Sequence, residues 1–157
     1  ETFGYIFIEK DRRRIDVKKV KELGIPEGPL LGKLQDGKSI NFNGKEISPD
    51  ETTYVINGKR IGIISDTSPC NNCDKIAQAA DLMICESTYE STLEEKGEEY
   101  AHMTAKQAAE IANRANAKKL ILTHFSARYK DVKQVEDDAK QIFDNSTAAR
   151  DLMKVKL

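Results

Sequence analysis

Three apolar segments of the chain each end in a side chain that can bind a metal ion or move a proton. The segment RIGIISD ends in Asp66, DLMICE ends in Glu86, and KLILTH ends in His124. Helical patterns follow these segments, and such alternation predicts an α/β fold with several parallel strands. Parallel strands place their carboxyl ends along one edge, where open α/β sheets bind ligands, so we predict that the three side chains converge there.

A turn residue or a helix cap is the simpler explanation for any one of these side chains. Asp66, for example, is followed by Thr67 and Ser68, a combination typical of turns. Three strands with the same kind of ending nevertheless favour a shared site over three separate turns.

The second half of the chain also supplies the helices that this fold requires. Their sequences are CDKIAQAA, TAKQAAEIANRANA and VKQVEDDAKQIF, and residues 152–157, LMKVKL, are predicted as a last strand. The longest of these helices has an apolar stripe of small residues that permits close packing, formed by Ala108, Ile111, Ala112 and Ala115.

His102, one of two histidines in the chain, lies just before this longest helix. Thr104 and Gln107 have the spacing of a capping box, which predicts Thr104 as the N-cap. The neighbouring helix N-terminus carries partial positive charge and suits anions such as phosphate. From position alone, a histidine in a surface loop is the simpler explanation.

The first third of the chain has few periodic apolar positions. Residues 2–9 predict a strand, and residues 16–24 predict a short amphipathic helix. The Pro- and Gly-rich segment at residues 25–37 predicts a loop with Lys33 and Lys38 exposed. In KSINFNGKEI, alternating apolar residues around Asn-Gly predict a hairpin. We therefore expect a small protruding module with little core of its own.

The composition limits the classes of protein that the chain can represent. Its 157 residues suit one compact domain, and a net charge of -1 does not indicate a nucleic-acid or membrane binder. No apolar stretch is long enough to span a bilayer, so no membrane association is expected. Three cysteines are too few, and odd in number, for a disulfide framework, which favours a reducing cytoplasm.

Four motifs occur in a fixed order along the chain: SDTSPC, ICESTY, AHMTAKQAAEIA and LTHFSARY. Together they resemble the C-terminal half of the tRNase Z, or ribonuclease Z, family of the metallo-β-lactamase superfamily. IPEGPLLGKL resembles the Gly-Pro stretch of the arm, or exosite, with which these enzymes grip the tRNA body. The resemblance implies the C-terminal half of an αββα sandwich in residues 1–157, with the arm at 15–57. It also implies tRNA contacts for four arm residues, Gly28, Pro29, Lys33 and Lys38.

The resemblance further implies a role for each residue of the site. Asp66 matches an aspartate that bridges two zinc ions, and His124 matches a histidine ligand of one zinc. His102 matches a histidine that donates a proton at the scissile phosphate, and Glu86 matches the glutamate that orients it. Arg128 lies where the family keeps a basic residue near the active site, which implies a contact with the substrate. These residue types fit, because a carboxylate can bridge two cations and an imidazole can donate a proton near neutral pH.

The implied function is that of a zinc-dependent endoribonuclease that removes 3′ trailers from precursor tRNA. The implied cofactor is Zn2+, with two ions in a complete site, and the implied assembly is a cytoplasmic homodimer. The main metal motif of the superfamily, H-x-H-x-D-H, does not occur in the chain. We expect the N-terminal half with that motif to be missing. We also expect the chain to be inactive alone, because tetrahedral zinc coordination is then incomplete.

The motifs depart from the family pattern at several positions. Gly-Asp-Thr-Arg is replaced by Ser-Asp-Thr-Ser at 65–68, and His-Glu-Ala-Thr by Cys-Glu-Ser-Thr at 85–88. His-Ser-Thr is replaced by His-Met-Thr at 102–104. These changes retain every implied ligand. Cys70 and Cys73 form an isolated C-x-x-C, which we interpret as a motif cysteine with an accidental neighbour rather than as a zinc site or a redox pair.

Two other classes of function remain open. The first is a non-catalytic RNA-binding module that uses the basic run at 10–14 and the arm lysines for salt-dependent phosphate contacts. A solvated strand end explains the same basic run equally well. The second is a metallo-β-lactamase-type hydrolase of small sulfate or phosphate esters, and the presence of the arm segment argues against it.

Overall fold

The structure is a computed structural model that describes residues 2–157. In chain order, its elements are β1 (Tyr5–Ile8), β2 (Arg12–Ile15), α1 (Val17–Glu22), α2 (Pro29–Gln35), β3 (Ile40–Phe42), β4 (Lys45–Ile47), α3 (Pro49–Thr52), β5 (Thr53–Ile56), β6 (Arg60–Ile64), α4 (Asn71–Ala77), β7 (Leu82–Glu86), a 3-10 turn (Ser91–Leu93), α5 (Glu94–Tyr100), α6 (Ala105–Arg114), β8 (Leu120–Thr123), α7 (Lys133–Lys140) and β9 (Ser146–Ala148). The chain divides into a smaller unit, Glu9–Gly58, and a larger unit that contains the chain up to Ile8 together with Lys59–Leu157.

The larger unit contains a five-stranded sheet with the order β1-β6-β7-β8-β9. Strands β6 to β9 are parallel, as the alternation of strands and helices predicts, whereas β1 runs antiparallel to β6. In the register of the central strands, Glu86 lies beside Thr123, and Ile64 lies beside Cys85. The carboxyl ends of the three strands are therefore level, and His124 follows at the same edge.

Small and apolar side chains hold the helices of the larger unit against this sheet. Helix α6 contacts α4, α7, β7 and β8, and its buried face is the predicted stripe of small residues. The capping box is also confirmed, since Thr104 N donates to Gln107 Oε1 and Gln107 N donates to Thr104 Oγ1. The beginning of α6 is thereby fixed beside the strand ends.

The prediction of a last strand at residues 152–157 is wrong. The last strand is β9, which pairs in parallel with β8. Its Ser146 and Ala148 are buried, whereas Leu152 is 98% exposed. The segment that follows α7 lies beside the open edge of β8, and its small side chains are buried there. This segment therefore forms the last strand in place of residues 152–157.

The smaller unit contains two antiparallel ribbons, β2 with β5 and β3 with β4. The predicted hairpin is confirmed. Asn43 and Gly44 both adopt positive φ, at 51° and 75°, as a two-residue turn of this kind requires. In this hairpin, Ile40 pairs with Ile47, and both side chains are buried.

The predicted loop at residues 25–37 is wrong, because Pro29–Gln35 forms helix α2. Pro29 occupies the first helical position, where its missing N–H costs nothing. The expectation of little core is also wrong. The smaller unit has its own cluster of buried side chains, Val20, Ile25, Leu34, Ile40 and Ile47.

The predicted arm, residues 15–57, lies within the compact unit Glu9–Gly58. Its role as an exosite stays a prediction.

None of the helices in the described part of the chain combines the length and apolar character that a bilayer crossing requires.

Candidate metal and phosphodiester site

The structure brings together the four side chains that the sequence places at or near strand ends. Asp66, Glu86, His102 and His124 each offer a ligand atom, and these atoms all lie within 4.8 Å of one another. The rings of His102 and His124 have their centroids 5.2 Å apart. The predicted convergence at one edge of the sheet is confirmed as a matter of geometry.

Asp66 and His124 occupy an unusual backbone conformation just beyond their strands. Their φ angles are 53° and 58°, in the left-handed region that residues other than glycine seldom adopt. Such conformations cost about 1 kcal/mol or more and persist only where the surrounding structure enforces them. At both positions the chain turns sharply after the strand, and this turn brings the side chain to the cluster.

Glu86 is fully buried, and its carboxylate accepts four hydrogen bonds. Oε1 accepts from Thr67 N at 2.6 Å and contacts His102 Nδ1 at 3.2 Å. Oε2 accepts from Thr88 Oγ1 at 2.9 Å and from Met103 N at 3.1 Å. Since these donors fill the acceptor sites of both oxygens, Glu86 cannot bind a metal ion without losing one of them.

The imidazole ring of His102 contacts two carboxylates through its Nδ1 atom. Its Nδ1 lies 3.2 Å from Glu86 Oε1 and 3.5 Å from Asp66 Oδ1. With Nδ1–H directed at carboxylate oxygens, Nε2 is the nitrogen that remains available for proton transfer.

Main-chain contacts position the two loops that carry these groups. An isolated bridge joins Tyr89 to Thr104, and Ala105 N donates to Tyr89 O at 2.8 Å. His102 N donates to Gly97 O at 2.8 Å. The histidine loop is therefore attached both to the segment after β7 and to the end of α5, so His102 is not a mobile surface residue.

Thr88 connects Glu86 with His124. Its Oγ1 lies 2.9 Å from Glu86 Oε2, 3.0 Å from His124 Nδ1 and 3.0 Å from His124 O. The hydroxyl has one proton, and a carboxylate is the strongest acceptor of the three. His124 Nδ1 must then carry a proton and donate it to Thr88 Oγ1, which leaves the lone pair of His124 on Nε2.

We expect Thr88→Val to remove this control of the His124 tautomer. In the unaltered chain at pH 8, long-range proton–nitrogen NMR spectra should show His124 as the Nδ1–H form. Thr88→Val should give a mixture of tautomers, because the acceptor for Nδ1–H is gone. Thr88→Ser, which keeps the hydroxyl, should match the unaltered chain. An Nε2–H form in the unaltered chain would contradict the assignment.

The implied substrate-binding residues lie in two places. Arg128 is exposed in the larger unit, with its guanidinium 5.1 Å from the ring centroid of Tyr89, and Tyr89 makes an edge contact with His102. The other implied contacts belong to the smaller unit around α2: Gly28, Pro29, Lys33 and Lys38. The structure therefore brings Arg128 close to the site through one intervening aromatic ring.

Two members of the site have roles that the sequence pattern does not reveal. Thr88 belongs to the ICESTY motif, which by itself gives this residue no role, and Thr67 acts through its backbone N–H. A hydroxyl two residues beyond a strand-end carboxylate is the sequence signal that could have identified Thr88. A backbone donor has no such signal, because any residue except proline supplies one.

Known proteins resemble the chain in sequence and in fold. No family model matches the chain. A ribonuclease Z from Nitrosopumilus maritimus is 42% identical over 158 residues, which cover 99% of this chain and 53% of that protein. Over nearly all of its own length, the chain is similar to proteins named ribonuclease Z. It spans about half the length of the curated relatives that it matches.

Solved structures extend the comparison to the fold. A long-form RNase Z from yeast matches with a TM-score of 0.53 and 29% identity, over 65% of this chain and 15% of that chain. A metallo-β-lactamase fold protein from Bacillus subtilis matches with a TM-score of 0.53 and 23% identity, over 61% of this chain and 39% of that chain. The chain thus shares the α/β architecture of the metallo-β-lactamase fold.

Proposed function

We propose that the chain is the C-terminal half of a zinc-dependent endoribonuclease that removes 3′ trailers from precursor tRNA. One observation carries the proposal: a histidine held by a buried glutamate lies beside an aspartate and a second histidine at the ends of parallel strands. The similarity to a ribonuclease Z along nearly the whole chain supports it. The remaining metal ligands would come from an N-terminal half with the H-x-H-x-D-H motif.

Asp66 and His124 are the residues that would hold zinc. No hydrogen bond within residues 2–157 involves Asp66 Oδ2 or His124 Nε2, whereas Glu86 is saturated. A carboxylate with an imidazole is a donor set typical of zinc. When bound, a pair of zinc ions supplies Lewis-acid activation of the phosphodiester and a nucleophile at neutral pH.

His102 is the residue that we assign to proton donation. Cleavage leaves a 3′ oxygen that must gain a proton, and a well-placed imidazolium can supply it. Glu86 and Asp66 lie on the Nδ1 side of the ring, so Nε2 is the donor. Glu86 acts here as a positioning residue, since its contacts are with protein groups.

The experiment that tests this function combines two measurements on the full-length protein. Elemental analysis should find zinc, and a radiolabelled precursor tRNA should lose its 3′ trailer. A chelator should abolish cleavage and added zinc should restore it. Tight binding of the precursor without cleavage would favour an RNA-binding module instead. Hydrolysis of small phosphate or sulfate esters without tRNA cleavage would favour the small-ester hydrolase.

Charge reversal at Lys33 and Lys38 should weaken binding of precursor tRNA, because the proposal assigns both lysines to phosphate binding. The slope of log affinity against log salt concentration should fall by about 1 for each lysine–phosphate pair that is removed. Filter binding at several salt concentrations measures both effects. Charge reversal at Lys156, in the larger unit, serves as the control. If hydrolysis of a small phosphodiester drops equally, the lysines stabilise the fold rather than bind RNA.

The proposal also includes a homodimer and a cytoplasmic location. The family resemblance supports the dimer, and cysteine content supports the compartment. Analytical ultracentrifugation of the full-length protein tests the assembly, and a sedimentation coefficient of a monomer at micromolar concentration would overturn it.

A further inference from the structure

Cys70 and Cys73 are close enough to react with each other. Cys70 is the N-cap of α4, Cys73 lies in its first turn, and their Sγ atoms are 3.6 Å apart. A disulfide needs about 2.05 Å, so side-chain rotation has to bring the sulfurs roughly 1.5 Å closer. From the sequence alone, the C-x-x-C is interpreted as a motif cysteine with an accidental neighbour. The 3.6 Å distance is the observation that favours a chemical relation between the two thiols.

The two thiols differ in exposure in the way that a thiol–disulfide pair requires. Cys70 is exposed, whereas Cys73 is 2% exposed. Burial raises the pKa of Cys73 to about 11. Burial also acts to raise the pKa of Cys70, but hydrogen bonds from the backbone of Cys73 and Asn72 outweigh it and lower that pKa below its ordinary value. The thiolate is the attacking form, so Cys70 is the nucleophile and Cys73 the resolving thiol.

A cavity of about 400 Å³ lies beside the pair. Its lining includes Ser65, Thr67, Cys70, Cys73 and Lys75. This volume falls within the range of about 300–1,000 Å³ that small-molecule sites occupy. A small disulfide can therefore approach the exposed Cys70 from solvent, whereas Cys73 is almost fully buried.

We propose that Cys70 and Cys73 are a reversible oxidation site that exchanges with low-molecular-weight disulfides of the glutathione type. The pair lies outside the four-residue cluster that we assign to metal binding and proton transfer. Its oxidation therefore uses none of those four residues.

The exchange balances in two steps. The Cys70 thiolate attacks one sulfur of the small disulfide, which breaks that S–S bond, releases one thiolate and leaves a mixed disulfide on Cys70. The Cys73 thiol then loses its proton and attacks Cys70 Sγ, which releases the second thiolate. Two protein thiols are oxidised to one disulfide, and one small disulfide is reduced to two thiols that take up the two protons.

The test exposes the reduced chain to graded ratios of oxidised and reduced glutathione, followed by alkylation of free thiols in denaturant and mass spectrometry. As the oxidised fraction rises, the chain should lose two alkylatable thiols together, and peptide mapping should join Cys70 to Cys73. Cys85 should stay reduced, because it is fully buried and burial raises its pKa well above the ordinary value. Three alkylatable thiols at every ratio would overturn the proposal.

Single variants separate the roles of the two cysteines. Cys73→Ser should accumulate glutathione on Cys70, because the resolving thiol is absent. Cys70→Ser should stay reduced at Cys73. Cys85→Ala should behave as the unaltered chain and is the control. If Cys70 holds glutathione equally well with and without Cys73, the pair does not exchange internally and the proposal fails, whatever the folding of the other variants.

Discussion

His102→Ala in the full-length protein is expected to lower cleavage of precursor tRNA by roughly 10²–10⁴-fold, the usual loss for a general acid, and to leave zinc content unchanged. The reason is the placement of the imidazole, whose Nδ1 is held by Glu86 while Nε2 stays available. The loss should shrink for a nitrophenyl phosphodiester, because a nitrophenolate leaves without a proton. Cleavage kinetics and elemental analysis on the same preparation measure both quantities.

Asp66→Ala and His124→Ala are the contrasting variants. Both remove an open donor atom of the cluster, so zinc content and cleavage should fall together. All three variants should therefore lose cleavage activity, but only Asp66→Ala and His124→Ala should also lose zinc. The assignment is wrong if His102→Ala strips the metal, or if His124→Ala retains full zinc and full activity.

The second large effect is expected for Glu86→Gln, on stability as well as activity. A glutamine amide has one acceptor oxygen, and its NH2 group must face either Thr67 N–H or Met103 N–H, depending on its orientation. In either orientation one buried backbone donor loses its acceptor, which costs about 1–3 kcal/mol. Urea unfolding of the chain should show a loss of this size.

Cleavage by the full-length Glu86→Gln protein should fall by about 10–100-fold, the scale for residues that orient catalytic or metal-binding groups. Glu95→Gln is the matched control: it is an exposed glutamate in α5, and its stability should change by less than about 0.5 kcal/mol. Equal stability of Glu86→Gln and the unaltered chain would show that the four hydrogen bonds do not all form.

These expectations rest on parts of the fold that could be predicted to different degrees. The strands that end near Asp66, Glu86 and His124 were predictable because each is a short apolar run, and apolar runs that alternate with helices bury well only in a sheet covered by helices. The capping box at Thr104 was predictable because its partners are local in sequence. Local chemistry thus located the histidine loop before any tertiary information.

Helix α2 and strand β9 show where local patterns failed. Proline and glycine predicted a loop at 25–37, yet the buried Leu34 makes a helix favourable, since that helix can cover a small core. Residues 152–157 were predicted as the last strand, yet Ser146–Ala148 pairs with β8 instead. In both cases the partner that an element packs or pairs with decided the outcome, and a single sequence does not specify that partner.

By itself, the sequence determined the α/β alternation, the hairpin turn and the identity of the strand-end side chains, because these depend on residue type and on spacing over a few positions. Only the tertiary structure decided that Glu86 is saturated, that Thr88 connects it to His124, and that two cysteines lie within 3.6 Å. The physical reason is the nature of the interactions. Hydrogen bonds and sulfur contacts depend on distances of a few tenths of an ångström between atoms, and folding fixes those distances through the packing of the whole unit.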